Sequence, residues 1–293
     1  MVYGRISDKV ITLRYFVFER YDELTIMRGV KDNKEEVYSM VTEIVNNTHA
    51  NKSASYDLGR PDYPYEFFDY LYSEFGLKSD SVIADVGAGT GKITEKFLEK
   101  GNTVYAVEPD KEMMGILKVK LAQFINCIPI ESVAENTGIS SKSVDLIFCG
   151  NSYEWFNRSE VIPEFQRIIR DYKSQNIVIA RLSPEKNIYQ TEFLEINNRF
   201  SKSVLGRIPD NSSPFQNDVY VSKEFDYVIH QEFNKFLHGC LSASYAPGPE
   251  DNCFKEYCLS LKRLFDRYSE NSKLEGRFKL LCLIGRVESL TKK

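Results

Sequence analysis

No C-x-x-C pair occurs in this chain, and its three histidines, His49, His230 and His238, do not stand at ligand spacing from any of the six cysteines. A structural zinc site is therefore not expected, and no metal is assigned from the sequence. Most of the cysteines lie in apolar stretches such as "FINCIPI", "LIFCGN" and "LLCLIG". That is the setting in which a thiol serves as a small buried hydrophobe. No run approaches the roughly 20 apolar residues of a spanning helix, and the opening "MVYGRISDKV" lacks the charged-then-apolar order of a secretory signal. These absences lead to an expectation of a cytoplasmic protein with no membrane partner. Strong charge of either sign is also missing. Lys and Arg number 38 against 42 Asp and Glu, a formal balance of −4, and no basic patch with interleaved aromatics is visible, so a nucleic-acid partner is not expected. There is no internal repeat and no low-complexity tract.

What is present is enough apolar residue for a sizeable core. With 42% hydrophobic content in 293 residues, the chain has the length for one large domain or a domain with an added lobe. From about residue 66 helix-like and strand-like pieces alternate. "EFFDYLYSEFG" has helical spacing, "SVIADVG" is a short buried-strand run, and "KITEKFLEKG" is a helix closing on Gly101. "TVYAVEPD", "INCIPIESVAE", "SVDLIFCGN" and "QNIVIARLS" continue the strands, with "KEMMGILKVKLAQF" and "VIPEFQRIIRDYK" as helices. Such alternation predicts an α/β fold with a parallel sheet, because parallel strands need crossovers and the crossovers cover its faces.

Beyond Arg181 the rhythm breaks. A helix "YQTEFLEINNRF" and a polar stretch with Pro209 and Pro214 read as an insertion or lid, placed at 182–245 together with a possible sixth strand "DYVIHQEF". Residues 246–293 supply an amphipathic helix, "CFKEYCLSLKRLFDRYS", and a final strand, "GRFKLLCLIGRVE". Residues 51–181 form the ligand-binding part. Residues 1–50, with a possible hairpin in "KVITLRYFVFERYDELTIM" and a possible helix in "NKEEVYSMVTEIVNN", form an extension that does not fit the repeating unit.

The chemistry concentrates in "VIADVGAGTGKIT", Val82 to Thr94. A Walker A loop needs Ser or Thr after its lysine, and here Ile93 follows Lys92. A dinucleotide fingerprint needs G-x-G-x-x-G, and in Gly87, Gly89 and Gly91 the third glycine comes one residue early. What remains is an acid at a strand end followed by G-x-G-x-G. Such a turn brings backbone close to a ligand and tolerates positive φ, which suits the ribose and amino-acid part of a nucleoside without pyrophosphate. The Asp85 carboxylate orders the turn or reaches a ligand ammonium. Glu108, closing the next strand, has the geometry to accept both ribose hydroxyls and repels a 2′-phosphate. Ala134 and Glu135 in "SVAEN" lie at the edge that would flank an adenine ring.

Through "VIADVGAGTGKIT", "VYAVEPDKEMM", "ESVAEN", "SVDLIFCGNSYEWF" and the upstream "YDLGRPDYP", the chain resembles the class I S-adenosylmethionine-dependent methyltransferases. The last of these looks like the Y-x-x-x-R-P-x-Y-P segment of a small-molecule branch. The resemblance implies a doubly wound, mostly parallel seven-stranded sheet of Rossmann-like methyltransferase type, with a lid inserted after the fifth strand. It implies S-adenosyl-L-methionine as cofactor and a small-molecule methyl acceptor. It carries Asp85, Gly87, Ala88 and Gly89 to the methionine part, Glu108 to the ribose, and Met113, Ala134 and Glu135 to the adenine surroundings. Tyr56 and Arg60 match positions that close over the cofactor, and Asn151 faces it from the fourth strand.

One departure stands out. Related sequences read Phe-His-Trp-Phe after the fourth strand where this chain has "YEWF", so no role of that histidine transfers. Tyr153 and Glu154 become the candidates to take a proton from the acceptor. Trp155 and Tyr245 are candidate walls of the acceptor pocket. Two other readings stay open: a nicotinamide-dependent oxidoreductase of related fold, and an S-adenosylmethionine-binding protein without catalysis.

Overall fold

The computed structural model describes residues 39, 52–171, 176–201 and 214–287. The expected hairpin and helix within residues 1–50 lie, apart from Ser39, outside the described residues, as does Pro209. Helix α1 (Lys52–Gly59) and a short α2 (Tyr65–Asp69), which continues as a wider turn over Tyr70–Glu74, lead into the alternating core. The core runs β1 (Val82–Val86), α3 (Lys92–Glu99), β2 (Thr103–Val107), α4 (Lys111–Lys120), β3 (Cys127–Ile130), β4 (Leu146–Gly150), α5 (Arg158–Ile168) and β5 (Ile177–Pro184). After it come α6 (Gln190–Phe200), β6 (Phe215–Gln231), α7 (Phe233–Leu241), α8 (Phe254–Tyr268) and β7 (Leu274–Val287).

The seven strands lie in the order β3-β2-β1-β4-β5-β7-β6. Strands β1 to β5 are parallel, and β7 enters antiparallel between β5 and β6. β1 is central and covered on both faces, which is why its sequence is an unbroken small-to-branched run rather than an alternation. Ile83 joins Phe97, Met114, Leu117 and Phe148 on one face, beneath α2, α3 and α4. Ala84 and Val86 join Ile147, Val161, Phe165 and Ile168 on the other, beneath α5. Cys149, Cys240, Cys258 and Cys282 are buried thiols, and Cys127 and Cys253 are half-buried. No helix among the described residues is long and apolar enough to cross a membrane.

Within 182–245, expected as an insertion or lid with a possible sixth strand, the described residues form the end of β5, α6, β6 and α7. β5 continues to Pro184 because its far half pairs with β7, Pro184 opposite Phe278. β6 begins at Phe215 rather than near Asp226, since it pairs with β7 along almost its whole length. The β6–β7 pair overruns the carboxyl end of β5, from Val228 opposite Arg277 to Gln231 opposite Leu274. There Leu274 enters a separate apolar cluster with Ile196 and Phe200 of α6, Phe236 and Leu237 of α7, and Leu261 and Phe265 of α8. The three helices therefore form a cap at the carboxyl edge of the sheet, and α7, within "QEFNKFLHGCL", is an element the sequence pattern did not reveal.

Helix α1 joins this cap to the sheet domain. A Cβ on Gly59 would lie 1.9 Å from the Gly239 nitrogen of α7, so the two backbones touch where neither carries a side chain. Lys52 Nζ donates to the carbonyls of Ala243, Ser244 and Ala246 just past the end of α7 (2.9, 2.8 and 3.2 Å), where a cation offsets the helix dipole. Arg60 Nε donates to Ser242 Oγ at 3.0 Å. On the other side, Lys120 of α4 pairs with Asp57 at 3.5 Å.

Within this joint His238 is wholly buried. Its Nδ1 lies 3.1 Å from Ser55 Oγ and its Nε2 has no hydrogen-bond partner among the described residues. Burial holds its pKa below the usual histidine value, so the folded protein keeps the ring neutral while the unfolded chain protonates it at about pH 6.5. A base with a depressed folded pKa contributes stability above its unfolded pKa and loses it as pH falls from there toward the folded value. The expected outcome is a melting-temperature advantage of wild type over His238→Gln that narrows as pH drops through that window. A gap independent of pH would show that the ring is not held neutral.

Candidate functional site

The chain reverses direction across the sheet between β1 and β4, and a doubly wound sheet opens a crevice at the carboxyl ends of its strands at such a switch point. A cleft that opens to solvent lies there. Asp85, Gly87, Ala88, Gly89 and Thr90 line it from the glycine turn, Phe148, Gly150 and Asn151 from β4, and Tyr56, Arg60 and Tyr63 from the opening segment.

The turn has the conformation its glycines require. Gly87, Gly89 and Gly91 all have positive φ (76°, 58° and 80°). At Gly87 the reason is also steric, since a Cβ would sit 2.4 Å from Ser152 Cβ, and Ser152 Oγ is fixed by its bond to the Val86 carbonyl at 2.7 Å. The amides of Gly87 and Ala88 both donate to the Val107 carbonyl (2.9 and 3.0 Å), tying the turn to β2.

Two carboxylates border the turn. Asp85 is almost fully buried and accepts from Thr94 Oγ1 at 2.6 Å. Burial pushes its pKa up to about 7, against the Thr94 bond, with the nearby Glu108 charge adding to the rise. Glu108 Oε2 accepts from the Gly89 amide at 2.8 Å and Oε1 from the Asp110 amide at 2.9 Å. Its pKa is also raised, chiefly by burial. Glu108 thus latches the glycine turn to the start of α4, where Asp110 caps the amides of Glu112 and Met113. Each of its oxygens keeps a lone pair for a ligand. Thr90 Oγ1, buried at the cleft, has no hydrogen-bond partner among the described residues.

The remaining sequence candidates fall in different places. Tyr56 is half-buried under the Arg60 guanidinium, 5.3 Å from the ring centre. Met113 Sδ and Tyr56 Cε1 flank the open side of Gly89, each 3.9 Å from where a Cβ would stand. Ala134 is buried in a short turn, Ala134–Asn136, and Glu135 Oε1 accepts from the Asn157 amide at 2.5 Å ahead of α5. Asn151, at φ 51°, splices β4 to β5: its amide donates to the Ala180 carbonyl at 2.9 Å and its Oδ1 accepts from Leu182 N at 2.8 Å. Tyr153 is buried in the core with its ring edge-on to Phe156. Glu154 faces Arg181 at 3.9 Å. Trp155 is exposed. Tyr245 is exposed just past the end of α7, its phenol raised chiefly by burial.

Four contributors escaped the sequence reading. Tyr63 OH donates to the Ala180 carbonyl at 3.3 Å. Lys92 Nζ donates to the Arg60 carbonyl at 3.0 Å and to Asp62 at 3.4 Å, holding the opening segment against α3. Thr90 and Arg181 are the others. Lys92 alone had a signal, as the residue next to the last glycine of the turn.

Residues 84–172 match the methyltransferase domain family. Over 116 residues the chain is 34% identical to an uncharacterized methyltransferase of Mycobacterium tuberculosis, covering 40% of this chain and 45% of that protein. Over 128 residues it is 30% identical to an uncharacterized methyltransferase of Schizosaccharomyces pombe, covering 43% and 50%. The match thus spans about half the length of these relatives. A putative type II methyltransferase structure from Anaeromyxobacter dehalogenans superposes with a TM-score of 0.49 at 15% identity, over 78% of this chain and 97% of that one. The methyltransferase-like segment begins in β1 and ends just past α5. It includes the glycine turn, both carboxylates and Asn151, and it excludes α1 and the cap.

Proposed function

We propose that this protein is an S-adenosylmethionine-dependent methyltransferase that acts on a small-molecule acceptor. The observation that carries the reading is the joint construction at the switch point: an acid and three positive-φ glycines, latched by Glu108 on the following strand. The residues present suit this cofactor. Thr90 Oγ1 is an unused donor for a carboxylate, Asp85 a buried acceptor for an ammonium in the cleft wall, and Glu108, bonded once through each oxygen, retains acceptor capacity for two ribose hydroxyls. S-adenosylmethionine, when bound, supplies a methyl group already activated on a sulfonium, so the chain's own work is to bind, align and exclude water. Arg60 and Tyr56, stacked on each other and anchored to α7 through Ser242, form the cover on one side. Met113 and Ala134 offer apolar surface toward the adenine. The helical cap is the element suited to carry acceptor specificity. The segment expected as a lid contributes to it α6 and, beyond β6, α7.

Calorimetry tests this directly. S-adenosylmethionine and S-adenosylhomocysteine are expected to bind and NADH is not; the reverse would establish a nicotinamide site. Glu108→Ala removes two charge-assisted bonds that organise the turn as well as the ribose acceptors, each worth about 1.5 to 3 kcal/mol. Affinity for S-adenosylhomocysteine is expected to fall more than tenfold. Unchanged affinity would move the ribose away from Glu108.

A further inference from the structure

The surroundings of Glu154 contain a feature that cofactor binding does not use. Glu154 follows β4 in the short turn Tyr153–Trp155, and Arg181 lies in β5 next to Ala180, to whose carbonyl Asn151 and Tyr63 both bond. The pair therefore stands just past the end of β4, with Arg181 the first residue of β5 beyond its pairing with β4, next to Gly150 and Asn151 of the cleft wall. The Glu154 charge also reaches into it: the phenols of Tyr56 and Tyr63 are raised first by burial and further, among other charges, by this carboxylate.

Glu154 Oε2 and Arg181 Nε face each other at 3.9 Å, beyond hydrogen-bond range. Both atoms are buried, and neither has a hydrogen-bond partner among the described residues. Two buried polar atoms that face each other without a bond are an unfavourable arrangement unless something else completes them. A single oxygen set between them would lie about 2.7 to 2.9 Å from each. The rest of each side chain is partly exposed, 20% for Glu154 and 35% for Arg181, so the pair is not sealed from solvent.

We propose, on the footing of the methyltransferase reading, that Glu154 and Arg181 together bind the acceptor and select one that presents a hydroxyl of phenol or enol type. Counting donors and lone pairs gives the selection. A hydroxyl donates its proton to Glu154, accepts from Arg181 with one lone pair and keeps the second to attack the methyl carbon. A neutral amine has a single lone pair and loses its nucleophile once it accepts from Arg181. A protonated amine is repelled by Arg181, and a carboxylate has no proton for Glu154 and is repelled by it. In the reaction the oxygen–carbon bond forms as the sulfur–carbon bond breaks, the bonding pair stays on sulfur as a neutral thioether, and the hydroxyl proton passes to Glu154 and then to solvent. Arg181 stabilises the charge that develops on oxygen. This also limits the acceptor to an acidic hydroxyl, because a carboxylate is too weak a base for an ordinary alcohol.

The test uses three probes on one ring, 4-nitrophenol, 4-nitroaniline and 4-nitrobenzoate, titrated into the S-adenosylhomocysteine-loaded protein below the pKa of the phenol. The expected result is at least tenfold tighter binding of the phenol. Glu154→Ala and Arg181→Ala should each abolish that preference while leaving S-adenosylhomocysteine affinity unchanged, which reports an intact fold. If S-adenosylhomocysteine binds but the three probes bind alike or not at all, or if the preference survives either substitution, the proposal is overturned and the methyltransferase reading stands. If S-adenosylhomocysteine itself does not bind, both fall together.

Discussion

Asp85→Asn is expected to make the ligand-free protein more stable and a far poorer binder of S-adenosylhomocysteine. The carboxyl is buried, with its pKa raised from 3.8 to about 7. A carboxylate with a raised folded pKa has its full stability below the unfolded value and loses it as pH rises through the folded one. That rise corresponds to about 4 kcal/mol by pH 8. Asn places the same shape against Thr94 Oγ1 without a charge to desolvate, so melting curves at pH 8 should favour the variant and those near pH 4 should nearly coincide. Binding moves the other way. If the carboxylate receives the ligand ammonium, its loss removes a charge-assisted contact of about 1.5 to 3 kcal/mol, roughly ten- to more than a hundredfold in affinity. Wild-type affinity should also weaken as pH falls below about 7, where Asp85 takes up its proton, and the variant should lack that dependence. Equal affinity of the two proteins at pH 8 would remove Asp85 from ligand contact.

The second large effect is expected at a residue that touches no ligand. In Gly59→Ala the new methyl meets only backbone, the Gly239 nitrogen at 1.9 Å, the His238 carbonyl carbon at 2.3 Å and the Gly239 Cα at 2.5 Å. None of these yields without moving a helix. Helix α1 must lift from α7, loosening the bonds of Lys52, Ser55 and Arg60 that dock it and carrying Tyr56 away from the cleft. Overpacking of this kind costs about 1 to 3 kcal/mol. S-adenosylhomocysteine affinity should fall at least tenfold, and limited proteolysis should cut near α1 while the sheet domain stays resistant. Gly239→Ala supplies the contrast: its methyl would meet the Gly59 carbonyl oxygen at 3.1 Å, a contact that a small shift relieves. If the two substitutions are equally damaging, crowding at the α1–α7 crossing is not the cause.

The parts of this protein that could be read from sequence are those in which neighbours along the chain are also neighbours in space. The run Val82–Val86 followed by three alternating glycines announces a buried strand and a turn, because both features are set within a dozen residues. Glu108 was legible for a related reason: in a βαβ unit the ends of adjacent parallel strands meet at the same edge, and Glu108 directly follows β2 while Asp85 lies in β1, its neighbour. The cap was not legible. Nothing local in "QEFNKFLHGCL" says that α7 will lie against α1, or that β6 will follow β7 far enough to carry Leu274 among the cap helices.

By itself, then, the sequence determined the alternating core, the glycine turn, its two carboxylates and the departure at "YEWF". Periodicity, glycine conformation and strand adjacency are short-range constraints that leave few alternatives. Only the tertiary structure decided that the region after Arg181 is a helical cap built on an overrunning strand pair. It also decided that Tyr153 goes into the core, while Glu154 meets an arginine from the neighbouring strand. These outcomes depend on which apolar faces find each other across long stretches of chain, and burial acts without regard to separation in sequence.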